Sequence, residues 1–233
     1  MSKELNIRIA NLIEGLPGNY TATPEEILFF KRYTGCDDFL LSDTLIENIW
    51  KWFKEELLNY GPEGDKDIPG AVSILHTNSG AGKVLEKAPS NSVITAYNLD
   101  YTCKRITDFV CQKRKDKGLY FSAERDISQY FALCNTNSSR KYSIVITQPK
   151  MDMEFYRGID YNKEIGNKNP LYYYSERGAH FLDESGYLVV IFEPKYIDEI
   201  NRLSQTLGME IVKMVEDKDL KYEAYEAVIL RKK

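Results

Sequence analysis

From residue 71 onward the chain alternates short apolar runs with longer mixed segments, and this alternation restricts its fold more than any other feature. Strands are predicted at 71–75, 93–97, 119–121, 142–146, 187–192, 209–215 and 224–230. Each is a run rich in β-branched or aromatic residues, bounded by turn-forming or polar residues. Helical stretches fit between the first five. The last two are separated only by the polar stretch 216–223, too short for a crossover helix, so they should run antiparallel. Five βα units followed by a hairpin predict an α/β fold, a doubly wound, seven-stranded, mostly parallel sheet. Sheets of this kind bind ligands at the carboxyl ends of their strands, where strand order reverses.

The first part of the chain reads as a helical lead. Residues 3–14 carry Leu5, Ile9, Leu12 and Ile13 at helical spacing, and Gly15, Pro17 and Gly18 end that segment. Thr23-Pro24-Glu25-Glu26 is a helix start, with Thr23 as cap, Pro24 at the first helical position and Glu26 completing a capping box. That helix holds Ile27, Leu28, Phe30 and Tyr33 and stops at Gly35. Another begins at Ser42 and carries Leu45, Ile46, Ile49, Trp50 and Phe53 in one apolar stripe. Residues 61–70, rich in Pro, Gly and charge, form a connector. The expected organisation is a lead over 1–65 and a sheet domain over 66–233. About fifty residues of helix stabilise themselves poorly alone, so the stripe is expected to pack on the sheet.

Composition narrows the class. Hydrophobic residues make up 43% of the 233-residue chain and charged residues 28%, with a formal net charge of −4. A globular protein is expected, and coating of nucleic acid by charge alone is not. No apolar run reaches transmembrane length, and the first residues lack the apolar core of a signal peptide. Cys36, Cys103, Cys111 and Cys134 form no CxxC pair, and only His76 and His180 accompany them. Reduced thiols in a cytoplasmic protein without a metal site are expected. The basic cluster Lys104, Arg105, Lys113, Arg114, Lys115 and Lys117 is interrupted by Asp108 and Asp116 and reads as a solvated face.

Two strand ends carry candidate chemistry. After the first strand comes His76-Thr77-Asn78-Ser79-Gly80-Ala81-Gly82-Lys83. Glycines here let the backbone approach a cofactor with its amides directed at it; an ordinary βα turn would use them too. Gly82-Lys83 resembles a Walker loop only in part, because its first glycine is missing and Val84 replaces the magnesium-binding hydroxyl. The second strand leads into Asn98 and Asp100, near where an acid commonly meets ribose hydroxyls. Asp126, after the third strand, could meet an adenine amino group, although a helix N-cap is the plainer reading.

The fourth strand ends in Thr147-Gln148-Pro149-Lys150. Methylation of an exocyclic amine needs acceptors that hold the NH₂ group and aim its lone pair, and it gains from an aromatic face that stacks the extruded base. Thr147 is a weaker acceptor than Asp or Asn, Gln148 offers its amide oxygen from the next position, and Lys150 cannot stack as a ring does. Asn169-Pro170-Leu171-Tyr172 looks closer to such a motif, but no apolar strand precedes it. Asn169 as N-cap and Pro170 at the first helical position explain it without chemistry.

Together these motifs resemble the adenine-specific (N6) DNA methyltransferases, in the branch found beside phage and mobile-element helicases. The resemblance spans about residues 20–233, with Thr23-Pro24-Glu25-Glu26 through Gly35 and Leu41-Ser42-Asp43-Thr44 through Trp50 matching the family's lead. It implies a class I methyltransferase-like fold and S-adenosylmethionine as cofactor, with His76, Asn78, Gly80, Gly82, Asn98, Asp100 and Asp126 at the cofactor positions. It also implies that Thr147, Gln148, Pro149 and Lys150 occupy the catalytic positions. The family's first motif, (Asp/Glu)-Pro-x-x-Gly-x-Gly, keeps Gly80 and Gly82 but has His76 and Thr77 at its start. The ribose acid falls on Asn98, and (Asp/Asn)-Pro-Pro-(Tyr/Phe) retains only Pro149. These departures imply a degenerate member with impaired or lost catalysis and weak or absent cofactor binding. DNA or a protein would be the partner. A non-catalytic binding or assembly module on the same sheet, and a working transferase on another substrate with Gln148 directing the amine, are the alternatives.

Overall fold

The computed structural model describes residues 41–60, 72–77, 79–80, 82–89, 92–97, 118–122, 141–149, 151, 169–217 and 225–232. Helix α1 (Asp43–Tyr60) precedes β1 (Val72–His76), the short helix α2 (Lys83–Glu86), β2 (Ser92–Ala96), β3 (Gly118–Ser122) and β4 (Tyr142–Thr147). Then follow α3 (Pro170–His180), β5 (Leu182–Phe192), a 3₁₀ turn at Pro194–Tyr196, α4 (Ile197–Leu207), β6 (Met209–Glu216) and β7 (Glu226–Lys232). The seven strands form one sheet in the order β3-β2-β1-β4-β5-β7-β6. Strands β1 to β5 pair in parallel, and β7 runs antiparallel between β5 and β6. The predicted doubly wound sheet with a closing hairpin is the one observed.

Strand period dictates how the two faces fill. Ile74, Ile94, Ile144, Ile146, Val189, Ile191 and Ile229 point to one side, where Leu45, Ile46, Ile49, Trp50 and Phe53 of α1 join them in one buried cluster. Leu75, Val145, Leu188, Val190, Val228 and Leu230 point to the other, under Leu171 and Tyr174 of α3 and Ile200 and Leu203 of α4. The apolar stripe of α1 thus packs on the sheet, as its spacing predicts. Ser42 caps that helix by accepting from the Leu45 N–H at 3.0 Å, and its hydroxyl donates to Asp217 at 2.7 Å. Glu210, Lys213 and Glu216 stand exposed along the edge strand β6, which discourages pairing with another sheet edge.

Some boundaries differ from those read in the sequence. Strand β1 runs on to His76. Strand β5 starts at Leu182, five residues before the apolar run, because its polar stretch Asp183-Glu184-Ser185 is drawn into the sheet by the Tyr142–Leu182 pair. A register shift between Tyr142 and Ile144 accommodates it. The lead before residue 41, the basic cluster at 104–117, the connector at 61–70 and the four cysteines lie outside the described residues.

Candidate functional site

The strand order reverses at β1, which has β2 on one side and β4 on the other. The carboxyl ends of β1 and β4 therefore meet at the crevice that such sheets use for ligands. The chain leaving β1 is held to both neighbours. The Thr77 N–H donates to the Ile146 carbonyl, the Tyr97 N–H to the His76 carbonyl, and the Ser79 N–H to the Tyr97 carbonyl, each at 2.9 Å. A turn then closes with the Gly82 N–H donating to the Ser79 carbonyl at 2.7 Å. Gly80 (φ 53°) and Gly82 (φ 78°) occupy the left-handed region there, which side chains disfavour. The glycines are thus required by the backbone of this turn.

Three polar side chains at these strand ends have no hydrogen-bond partner among the described residues. They are the imidazole of His76, at both ring nitrogens, and the hydroxyls of Thr77 and Thr147. All three residues are fully buried. Burial alone holds the His76 imidazole neutral, with its pKa down at about 3. The hydroxyls of Ser73 and Ser143 face each other across β1 and β4 at 3.2 Å. The pairing of His76 with Ile146, continued by one residue, sets Thr77 beside Thr147 on that same side. The even-numbered neighbours Ile74, Ile144 and Ile146 face the α1 side, and strand alternation puts His76 with them. Gln148 and Pro149 follow Thr147 and are buried.

The structure thus brings His76, Thr147, Gln148 and Pro149 to adjacent strand ends, beside the turn formed by Gly80 and Gly82. Asn78, Asn98, Asp100, Asp126 and Lys150 lie outside the described residues. Thr77 completes the orphaned set; its place beside Thr147 depends on strand register, which sequence alone leaves open. Lys83 settles the partial Walker resemblance. Its ammonium donates to the Leu41 carbonyl and sits 3.5 Å from the Asp43 carboxylate, so it anchors α1 rather than facing a phosphate. The Asn169 side chain accepts from the Leu171 N–H at 2.9 Å, with Pro170 opening α3. That segment is a helix cap, as expected. No group of three or more His, Cys, Asp or Glu side chains among the described residues could hold a metal, and no described helix is long and apolar enough to cross a membrane.

No protein-family model matches the chain, and no curated protein sequence is similar to it. Solved structures are similar. A Listeria monocytogenes protein described as a class I S-adenosylmethionine-dependent methyltransferase superposes with a TM-score of 0.57 at 12% identity, covering 99% of this chain and 67% of that one. The N-methyltransferase NodS from Bradyrhizobium japonicum superposes with a TM-score of 0.52 at 13% identity, covering 82% of this chain and 99% of that one. Its complex with S-adenosyl-L-homocysteine gives 0.50 at 13% identity, over 85% and 96% of the two chains. The chain has the class I methyltransferase fold.

Proposed function

We propose that this chain is a methyltransferase-type protein of the adenine-specific DNA methylase lineage that keeps an S-adenosylmethionine site while its transfer chemistry is impaired or lost. The observation that carries the reading is Thr147, which brings one buried, unpartnered hydroxyl to the end of β4. An exocyclic amine needs two acceptors there to be held and aligned. Its neighbour His76 is equally enclosed and neutral. A nucleoside-type ligand fits this setting. Without side chains, Gly80 and Gly82 would permit close backbone approach, and the orphaned nitrogens and hydroxyls would offer both donors and acceptors. Buried polar groups left without partners are costly, and a ligand with hydroxyl, amine and carboxylate groups would satisfy them.

The bound cofactor would supply an electrophilic methyl group on a sulfonium. The protein's own residues would contribute hydrogen bonds from Thr77 and Thr147 on one face of the sheet and the shape of the glycine turn, with His76 at the same strand end on the other face. With Asn98 in place of an acid at the ribose position, the charge-assisted bond to ribose, worth roughly 1.5–3 kcal/mol, would be lost, and affinity should be on the order of tenfold to a hundredfold weaker. A second reading, an active transferase on another substrate, is favoured by Gln148, which is 5% exposed and directly follows β4. DNA or a protein partner is the expected target, in the cytoplasm.

Calorimetric titration with S-adenosylmethionine and S-adenosyl-L-homocysteine tests the cofactor site, with weak binding of both expected. Labelled methyl incorporation into mixed-sequence single- and double-stranded DNA tests the chemistry, with none above background expected. Tight, low-micromolar binding would sink the argument from His76, Thr77 and Asn98. Robust incorporation that disappears on Gln148→Ala would promote the second reading.

A further inference from the structure

Helix α2 has only four residues, Lys83–Glu86, too few to hold a helical turn in place by themselves. Contacts from α1 and the residues just before it, together with the sheet, fix it. The Trp50 indole N–H donates to the Val84 carbonyl at 2.7 Å, a buried bond between residues 34 apart in sequence. Lys83 reaches the Leu41 carbonyl and the Asp43 carboxylate, and Lys87 lies 3.5 Å from Glu47. Val84, Leu85 and Ala88 share one buried cluster with Leu45, Ile46, Ile49 and Trp50. The far side of α1 is fixed to the sheet, since the Tyr187 hydroxyl donates to Glu56 at 3.1 Å and Ser42 donates to Asp217. The segment directly after the glycine turn is therefore tied, beyond its packing on the sheet, to a helix that is itself anchored elsewhere.

From this geometry we infer that α1 is a clamp on the glycine turn, with Trp50 and Lys83 as positioning residues for the ligand site. The inference rests on the proposed reading of that turn as the ligand-contacting loop. The Glu86 N–H donates to the Gly82 carbonyl at 3.0 Å, so a shift of α2 is passed directly to Gly82 and the turn that it closes. Docking of α1 and occupancy of the turn are then coupled, and by reciprocity a ligand that orders the turn tightens α1.

The test uses the full-length protein, Trp50→Phe, which keeps an aromatic ring but loses the donor, and Lys83→Met, which loses the ammonium at a half-buried position. Hydrogen–deuterium exchange is followed with and without S-adenosyl-L-homocysteine, alongside its affinity by calorimetry. In both variants, amides of residues 79–88 should exchange about tenfold faster while those of β5 and β7 keep the wild-type rate. Affinity should fall about five- to tenfold, the scale of one buried hydrogen bond. Ligand added to wild type should slow exchange in α1. Unchanged exchange at 79–88, or acceleration spread evenly over β5 and β7, would overturn the clamp, as would full wild-type affinity in both variants. If the wild-type protein does not bind the ligand, the functional reading falls, and the exchange of the turn without ligand decides the clamp alone.

Discussion

Acid should unfold this protein through His76 before its carboxylates begin to protonate in number. The imidazole is fully buried and its nitrogens have no hydrogen-bond partner among the described residues. Desolvation holds its pKa at about 3 in the folded chain, against roughly 6.5 for the exposed group. The sign follows from proton uptake. Below about pH 6.5 the unfolded chain binds a proton that the folded chain does not, so stability is full above that value and is lost as pH falls toward about 3. Each pH unit inside the window is worth about 1.4 kcal/mol. The loss is about 2 kcal/mol between about pH 7.5 and pH 5, and approaches about 5 kcal/mol near pH 3. For a chain of this length the first figure lowers the melting temperature by about 4–8 °C.

The assay is urea unfolding at the two pH values on wild type and on His76→Gln, which keeps a polar side chain of similar reach and removes the titration. His180 also has its pKa lowered, first by burial and then by Lys141, Arg177 and Lys232. Burial raises that of Glu226, with help from Glu216. Both contributions are common to the two proteins and cancel in the difference. The variant should therefore lose about 2 kcal/mol less than wild type over the same interval. If the two proteins lose stability in parallel, His76 is protonated in the folded state or is open to water, and the description of a sealed neutral imidazole at the end of β1 is wrong.

Other substitutions read the scaffold. Asn169→Ala removes the cap of α3 and should cost about 1 kcal/mol in urea unfolding. Gly178→Ala should destabilise by about 1–2 kcal/mol even though alanine is the better helix former. Its β-carbon would lie 3.1 Å from Leu188 Cδ1 and 3.2 Å from Val145 Cγ1. Removing residues 1–60 strips Leu45, Ile46, Ile49 and Phe53 from the sheet face that they cover. The shortened protein should aggregate, and one that melts at the full-length temperature would refute the shared core.

How much of this was legible beforehand depends on the range of the interaction concerned. Alternation within a strand is a local property, so Tyr142–Thr147 and the closing hairpin could be found from their own residues. The cap at Asn169 needs only the two residues after it, and the stripe of α1 needs only its own period. By contrast, the start of β5 at Leu182 could not be found locally, because Asp183-Glu184-Ser185 shows no apolar alternation and is recruited by Tyr142. At the site, the strand ends marked His76 and Thr147 as candidates. Their burial, and the arrival of Thr77 beside Thr147, required the β1–β4 register. The Trp50–Val84 bond joins residues 34 apart in sequence, and nothing in the local pattern of either segment marks it. The role of Lys83 was hidden for a related reason. After a glycine turn a lysine suggests a phosphate, and only the placement of Leu41 and Asp43 shows where its charge is used.

The groups at the ends of β1 and β4 divide what this site can do. His76 as a neutral imidazole, the hydroxyls of Thr77 and Thr147 and the amide of Gln148 can donate and accept hydrogen bonds, and a glycine turn can shape itself to a ligand. On the proposed reading those abilities would serve binding, where each neutral bond contributes about 0.5–1.5 kcal/mol and several together would orient a nucleoside. Transfer of a methyl group asks for more. The amine must be held by two acceptors so that its lone pair faces the sulfonium, and the positive charge that passes to nitrogen must be stabilised as it forms. A single threonine hydroxyl meets the first demand in part. It contributes little to the second, since a neutral dipole stabilises a developing cation far less than a carboxylate does. On the proposed reading binding and catalysis would rest on different atoms, so a chain of this fold could lose the second through two residues at one strand end while the sheet and the glycine turn that would build the first remain in place.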